Sequence, residues 1–299
     1  MKRLKPHLAL FFCNAIWAVN YPFYHILFSK GISAAAMLEL SLLVAALLAF
    51  VPLLWSRAEK IARGDIKYLF AAAILSGLMR KGFVIFSLSL TTPIEASIIS
   101  SLLPVMALLI SVAMGIDRFT SSRIIGIILG MVGVVAVIAR GGSTGSATCA
   151  LCGNVLMVLY TVAAGFYMVW LQPMFKKYKP VTLLRWIYLL SSLMFLPFSL
   201  DAITKIPLST LSTHTLILGA VVVALPTFLP NLLLSYALRS VKPTVSSIYS
   251  YLQPILAIAV SLWLGVGKLH ISTLLFGLII IAGVTLVIRS YEHKSPKRL

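Results

Sequence analysis

A stretch of fifty residues occurs twice in this chain. Thr91 to Arg140 and Val241 to Ser290 align without a gap at a constant offset of 150. Pro93 matches Pro243, Ser97 matches Ser247, Ser100 matches Ser250 and Pro104 matches Pro254. Further on, Ala107 matches Ala257, Ser111 matches Ser261, Gly115 matches Gly265 and Gly133 matches Gly283. Each copy reads as two apolar helices joined by a short charged turn, Asp117 and Arg118 in one and Lys268 in the other. Any two membrane hairpins share Leu, Ile, Val and Gly, but shared composition does not align prolines and serines. An internal echo of this kind predicts two halves of similar build.

The apolar runs say where such halves reside. Of 299 residues, 60% are hydrophobic and 11% charged, against about 45–50% and 25% in a soluble domain. One core cannot hide that much apolar surface, so the chain is an all-α integral membrane protein. A span needs about 20 apolar residues to cross about 30 Å of hydrocarbon. Ten candidates fit: 7–28, 33–55, 68–90, 93–115, 121–139, 149–172, 182–200, 213–238, 243–265 and 271–289. Arg80 and Lys81 interrupt the third, and Pro226 and Pro230 are expected to bend or break the eighth.

The net charge of +18 does not form a nucleic-acid surface, because its basic residues sit in the gaps between apolar runs. They test the topology instead. With the N-terminus inside, cytoplasmic segments hold 19 Lys and Arg and the opposite side holds 4: Lys30, Arg140, Lys205 and Lys268. Both termini are therefore expected in the cytoplasm, with the chain in the inner (plasma) membrane. Five helices per half is an odd number, so the second half enters from the opposite side. The expected fold is ten transmembrane helices as two inverted five-helix repeats, residues 1–140 and 141–299.

Ten spans in two fused halves resemble the drug/metabolite transporter superfamily, specifically its EamA-type exporters. The resemblance covers nearly the whole chain. It is carried by the hairpins around Pro104 and Pro254, by AIWAVNYPFYHI from Ala15, and by YTVAAGFYMVWLQPMFKKYKPVTLLRW from Tyr160. The chain departs from the family pattern at Met37–Leu40, where an Arg is frequent, and at Gly267–Lys268, which lacks an acid. The resemblance implies export of a small metabolite, an amino acid or a related compound. A carrier of a sugar phosphate, nucleotide sugar or lipid-linked phosphate is the alternative on the same fold. A non-transporting scaffold or sensor is the alternative of another class. The sequence has no HExxH, paired aspartates, GxSxG or Walker motif, so it offers no intramembrane enzyme, no direct use of ATP and no cofactor. The partners expected are the bilayer and a small-molecule substrate, and a homodimer is left open.

Polar groups at mid-depth in a bilayer are costly and invite a functional reading. Arg80 and Lys81 lie about 12 residues from the end of their span, where a cation costs about 2.5–3.5 kcal/mol. They are candidates to bind a carboxylate or phosphate, Arg bidentately and Lys as a point charge. Snorkelling or pairing with carbonyls is the other reading. Trp17, Asn20, Tyr21, Ser101, Tyr160, Tyr249 and Gln253 complete the candidate substrate site, with Asn14 and Asn231 flanking it. Tyr24 and Tyr167 fit an interfacial aromatic belt better. Glu39 and Glu95 read either as gating or proton-coupling groups or as interfacial carboxylates in contact with water. Pro104 and Pro254 are expected mid-helix hinges. Gly126, Gly130 and Gly133, with Gly277 and Gly283, read as a helix-packing surface. Cys149 and Cys152 form a CxxC without the further ligands a zinc site needs, so they are expected to be small packing residues, and no metal site is expected.

Overall fold

In the computed structural model of the chain, residues 4–55, 57–141 and 149–292 are described. The basic residues Lys2, Arg3, Lys294, Lys297 and Arg298 lie outside them. The described chain is helical throughout: α1 (Leu4–Ser29), α2 (Ala34–Phe50), α3 (Ile66–Ala72), α4 (Lys81–Leu90), α5 (Pro93–Ser100), α6 (Leu103–Ala113) and α7 (Ser121–Gly141). The second part has α8 (Ala150–Trp170), α9 (Gln172–Lys177), α10 (Pro180–Thr204), α11 (Thr213–Leu238), α12 (Pro243–Ser246), α13 (Leu252–Trp263) and α14 (Ile271–Glu292). A π-helical stretch, Ala73–Arg80, joins α3 to α4 into one rod, and a 3₁₀ stretch, Ser247–Tyr251, joins α12 to α13.

Among the described residues, seven segments are both long and apolar enough to cross a membrane: Ala34–Leu54, Arg63–Leu90, Pro93–Ala113, Ala150–Trp170, Pro180–Thr204, Thr213–Leu238 and Pro243–Trp263. Ten were expected. The stretches Ser121–Val137 and Ile271–Gly283 are apolar but shorter. At 26 residues α1 is long enough, but Asn14, Asn20 and its tyrosines dilute its apolar character. Outward-facing side chains such as Ile255, Phe198 and Trp263 remain exposed, as a surface bathed in hydrocarbon requires.

Local signals set the helix ends. Ser33, Thr92 and Ser212 cap α2, α5 and α11, each side chain accepting from the backbone N–H three residues on. Pro93, Pro180 and Pro243 stand in first turns, where a missing N–H costs nothing. α6 and α13 end on the same motif. Gly115 and Gly265 have φ of 71° and 67°. The N–H of Ile116 reaches the Ser111 carbonyl (2.8 Å), and that of Val266 reaches the Ser261 carbonyl (3.0 Å). This is a left-handed glycine cap made twice.

The repeated proline does not stand where it was expected. Pro104 and Pro254 are not mid-helix. Each follows a break, between Ser100 and Leu103 in one copy and over the 3₁₀ stretch Ser247–Tyr251 in the other. A proline removes the N–H that would bond the carbonyl four residues earlier, so the helix restarts at the proline instead of bending through it. α11, expected to bend or break, is not broken and runs as one helix through Pro226 and Pro230. Pro230 leaves the Pro226 carbonyl without its helical donor, and Trp17 Nε1 from α1 donates to that oxygen at 3.1 Å.

α7 and α14 pack along their glycines. A Cβ on Gly133 would stand 2.5 Å from Ile280 and 3.0 Å from the Phe276 carbonyl, and one on Gly283 would stand 2.6 Å from the Gly126 carbonyl. The glycine face is used within the chain, between the closing helices of the two copies. Cys149 and Cys152 are bonded as a disulfide at the start of α8, which corrects their reading as plain packing residues.

Candidate functional site

Arg80 ends the π-helical stretch and Lys81 begins α4. A π turn adds a residue per turn and rotates the helix beyond it, a device common at functional sites. Here it is held from outside. The Ser191 hydroxyl of α10 lies 2.9 Å from the Ala73 carbonyl, and Gly77 leaves room for that serine, since a Cβ there would stand 1.8 Å from its oxygen. Neighbours on a regular helix point apart. Arg80 and Lys81 nonetheless line one cavity of about 30 Å³, with Trp17, Asn20, Tyr21, Tyr24, Val84, Tyr160, Pro226 and Asn231. That is room for a water molecule and not for a metabolite.

Both cations are buried, Arg80 at 4% exposure and Lys81 at 7%. Arg80 Nη2 donates to Asn231 Oδ1 at 2.6 Å. Its guanidinium lies 4.6 Å from the ring centre of Tyr167 and 5.8 Å from that of Trp17. Lys81 Nζ donates to the Tyr24 hydroxyl at 2.9 Å. Aromatic faces and dipoles stabilise a desolvated cation. Tyr24 and Tyr167 are buried against these charges, so neither belongs to an interfacial belt.

Gln253 ties the cavity to the breaks. Its Oε1 accepts from the Tyr21 hydroxyl at 2.9 Å and lies 3.0 Å from the Ser100 hydroxyl. Its Nε2 donates to Asn14 Oδ1 at 2.7 Å, and Asn14 Nδ2 donates to the Leu10 carbonyl. One amide thus joins α1, the end of α5 and the start of α13.

A second cavity, about 370 Å³, opens at the end of the bundle where α1 finishes and α5 and α14 begin. His25, Thr92, Glu95, Lys268 and His270 line it. Glu95 is buried at its base, and Asn154 Nδ2 donates to its Oε2 at 3.0 Å. Glu39 is fully buried between α2 and α10. It accepts from the Ser192 hydroxyl, and its Oε2 has no partner. Glu39 is not the interfacial carboxylate in contact with water that was one reading of it, whereas Glu95, in the first turn of α5, lines the open cavity.

The sequence pattern of the EamA-like transporter family matches residues 4–139 and again 151–289. The chain belongs to the EamA-like transporter family. It is therefore a multi-pass membrane protein that transports small molecules, and it is not an enzyme. Two uncharacterized transporters of Archaeoglobus fulgidus are similar to it. One is 25% identical over 283 residues, 94% of this chain and 96% of the relative. The other is 31% identical over 111 residues, 37% of this chain and 38% of the relative. A solved crystal structure covers 98% of both chains with a TM-score of 0.68 at 15% identity, a likeness of fold alone.

In this EamA-like transporter, Trp17, Asn20, Tyr21, Arg80, Lys81 and Tyr160 share the central cavity, and Gln253 is one hydrogen bond from it. Like Gln253, the candidates Ser101 and Tyr249 do not line it. Ser101 sits in the break, its hydroxyl on the Ile98 carbonyl at 2.6 Å, and the Tyr249 hydroxyl lies 2.7 Å from His7 Nδ1. Tyr24, Asn231 and Tyr167 lie outside the candidate set, yet they contact the two cations. A signal for Tyr24 was available, because Trp17, Asn20, Tyr21 and Tyr24 recur at helical spacing on one face of α1.

Proposed function

We propose that this EamA-like transporter is a secondary carrier that exports a small carboxylate-bearing metabolite, an amino acid or a related compound, by alternating access. The observation that carries this is the Arg80–Lys81 pair, buried on one cavity between α1, α4, α8 and α11. In the proposal Arg80 and Lys81 hold the carboxylate. Trp17, Tyr21 and Tyr160 form the walls, and Asn20 and Gln253, with Ser101 and Tyr249 at the breaks, orient the remainder. A phosphate-bearing substrate is the second reading, favoured by the same two donors.

The proposed topology counts α1, α2, α3–α4, α5–α6, α7, α8, α10, α11, α12–α13 and α14 as ten spans. Residues 1–140 and 141–299 form inverted repeats in the inner membrane, with both termini cytoplasmic. The 19-to-4 charge split supports this orientation, in which the 370 Å³ cavity faces outward. Glu39 and Glu95, both buried toward that side, are assigned to gating or coupling. Pro104 and Pro254 set the points at which the two broken helices swing.

The test is a metabolite-uptake screen in inside-out vesicles, followed by Arg80→Gln and Lys81→Met. Both variants are expected to insert normally and to lose transport by at least about tenfold, since each removes a charge-assisted contact. Normal transport by both would refute the anion-holding role. An impermeant thiol reagent added to intact cells should reach a cysteine placed at Lys268, and protection there would reverse the orientation.

A further inference from the structure

Two positive charges face the central cavity, and among the described residues no carboxylate pairs with either. Among the described residues, neither Arg80 nor Lys81 meets a carboxylate at ion-pair distance. The ion pairs described are Arg123–Asp117, Lys177–Asp65 and Lys205–Asp201, all elsewhere. Glu39 is bonded by Ser192, and Glu95 by Asn154. The described surroundings of the two cations are neutral: the Asn231 amide, the Tyr24 and Tyr160 hydroxyls, and the faces of Tyr167 and Trp17. Such groups reduce the cost of a desolvated charge without cancelling it. Donors are also left over. Among the described residues, Arg80 Nε is buried with no hydrogen-bond partner, and Lys81 Nζ, with three N–H groups, donates to the Tyr24 hydroxyl.

Net charge then separates the ligands that could fill this site. A zwitterionic amino acid brings no net charge and would set its ammonium beside two cations. A monoanion cancels one of them. An anion carrying two negative charges cancels both and can use the unpaired donors. We propose that the central cavity selects a dianion, a dicarboxylate or a phosphate monoester, over monoanions and zwitterions of the same size. This rests on the cavity being the substrate site, and it narrows the proposed carboxylate-bearing substrate to doubly charged compounds, away from neutral amino acids. At about 30 Å³ it must widen to admit such a ligand, which alternating access provides. Arg80 supplies the planar fork for one pair of oxygens and Lys81 the point charge for another.

The experiment uses the full chain in nanodiscs and direct calorimetric binding of five probes: succinate, glycerol 3-phosphate, glycerate, butyrate and alanine. At least one dianion is expected to bind about tenfold or more tightly than glycerate and butyrate, because an extra charge pair at low dielectric is worth at least that factor. Alanine is expected to bind most weakly. Whether succinate or glycerol 3-phosphate leads tells which oxyanion the site takes. Lys81→Met should bring dianions and monoanions to within about twofold of one another, since one cation remains, whereas Arg80→Lys should keep the preference. Loss of packing alone would weaken all probes in proportion. Equal binding of all five probes, abolished by Arg80→Gln, would overturn the dianion inference while leaving the cavity as the substrate site. Binding of every probe unchanged by both Arg80→Gln and Lys81→Met, or no binding at all, would overturn this inference and the anion-holding role together.

Discussion

The first copy of the repeat and the second end their opening helices identically, on Gly115 and Gly265, and break them at matching places ahead of Pro104 and Pro254. Their side chains diverge. Thr91 and Glu95, held with Asn154, are matched by Val241 and Val245, and Gln253 is matched by Leu103. Their surroundings diverge too. In Pro93–Ala113, 83% of the apolar window is buried inside the protein, against 39% in Pro243–Trp263. α8 covers α5 and α6, whereas α13 leaves Ile255, Leu262 and Trp263 exposed. The backbone devices are therefore those a hairpin needs, since both copies keep them. The polar groups are not part of the hairpin's own backbone design, since one copy forms without its mate's; they tie each copy to its neighbours and line its sites.

Substitutions that make one copy resemble the other can break this comparison. The largest effect is expected for Gln253→Leu, which copies Leu103. It strands Asn14 Oδ1 and the Tyr21 hydroxyl in the interior, at a cost of about 3 kcal/mol in detergent unfolding. Leu103→Met, at the mate position, should stay within about 1.5 kcal/mol. Equal losses at the two positions would mean that the amide network adds nothing beyond packing. A smaller effect, about 1–2 kcal/mol, is expected for Gly115→Ala and for Gly265→Ala, which force an L side chain into the left-handed region. An added Cβ meets nothing within 4 Å at either site, so the two losses should match. A marked inequality in their unfolding midpoints would show that the turns are not equivalent.

Legibility in the sequence divides along the same line. The offset of 150 exposed the backbone devices, because glycine and proline act through their own covalent geometry. Arg80 and Lys81 were legible because a mid-span cation has few explanations. Tyr24 and Tyr167 were not, because depth along a helix does not say which face is turned inward. Only the tertiary contact shows them against Lys81 and Arg80. The position of the helix break was one turn off for a similar reason. A proline in isolation permits either a kink or a fresh start, and neighbours decide, as α11 shows with Trp17 covering the freed carbonyl. The π-helical turn that brings Arg80 and Lys81 to one cavity has no sequence signature beyond Gly77, whose missing side chain admits Ser191.

In the proposed alternating-access cycle, one broken-helix device, used twice in opposite senses, opens the two sides of the central cavity in turn. It is tested most directly by thiol accessibility at mate positions. Lys268→Cys and Arg118→Cys, each alone in a chain lacking Cys13, Cys149 and Cys152, mark the two ends of the bundle. An impermeant reagent is applied to intact cells for the first and to inside-out vesicles for the second. Pro104→Ala restores the N–H facing the Ser100 carbonyl, and Pro254→Ala does the same toward Ser250, so each substitution favours closing one break. The two substitutions are expected to shift the labelling rates in opposite senses, one exposing Lys268→Cys while protecting Arg118→Cys, the other the reverse. The same shift in both variants, or none in either, would contradict it.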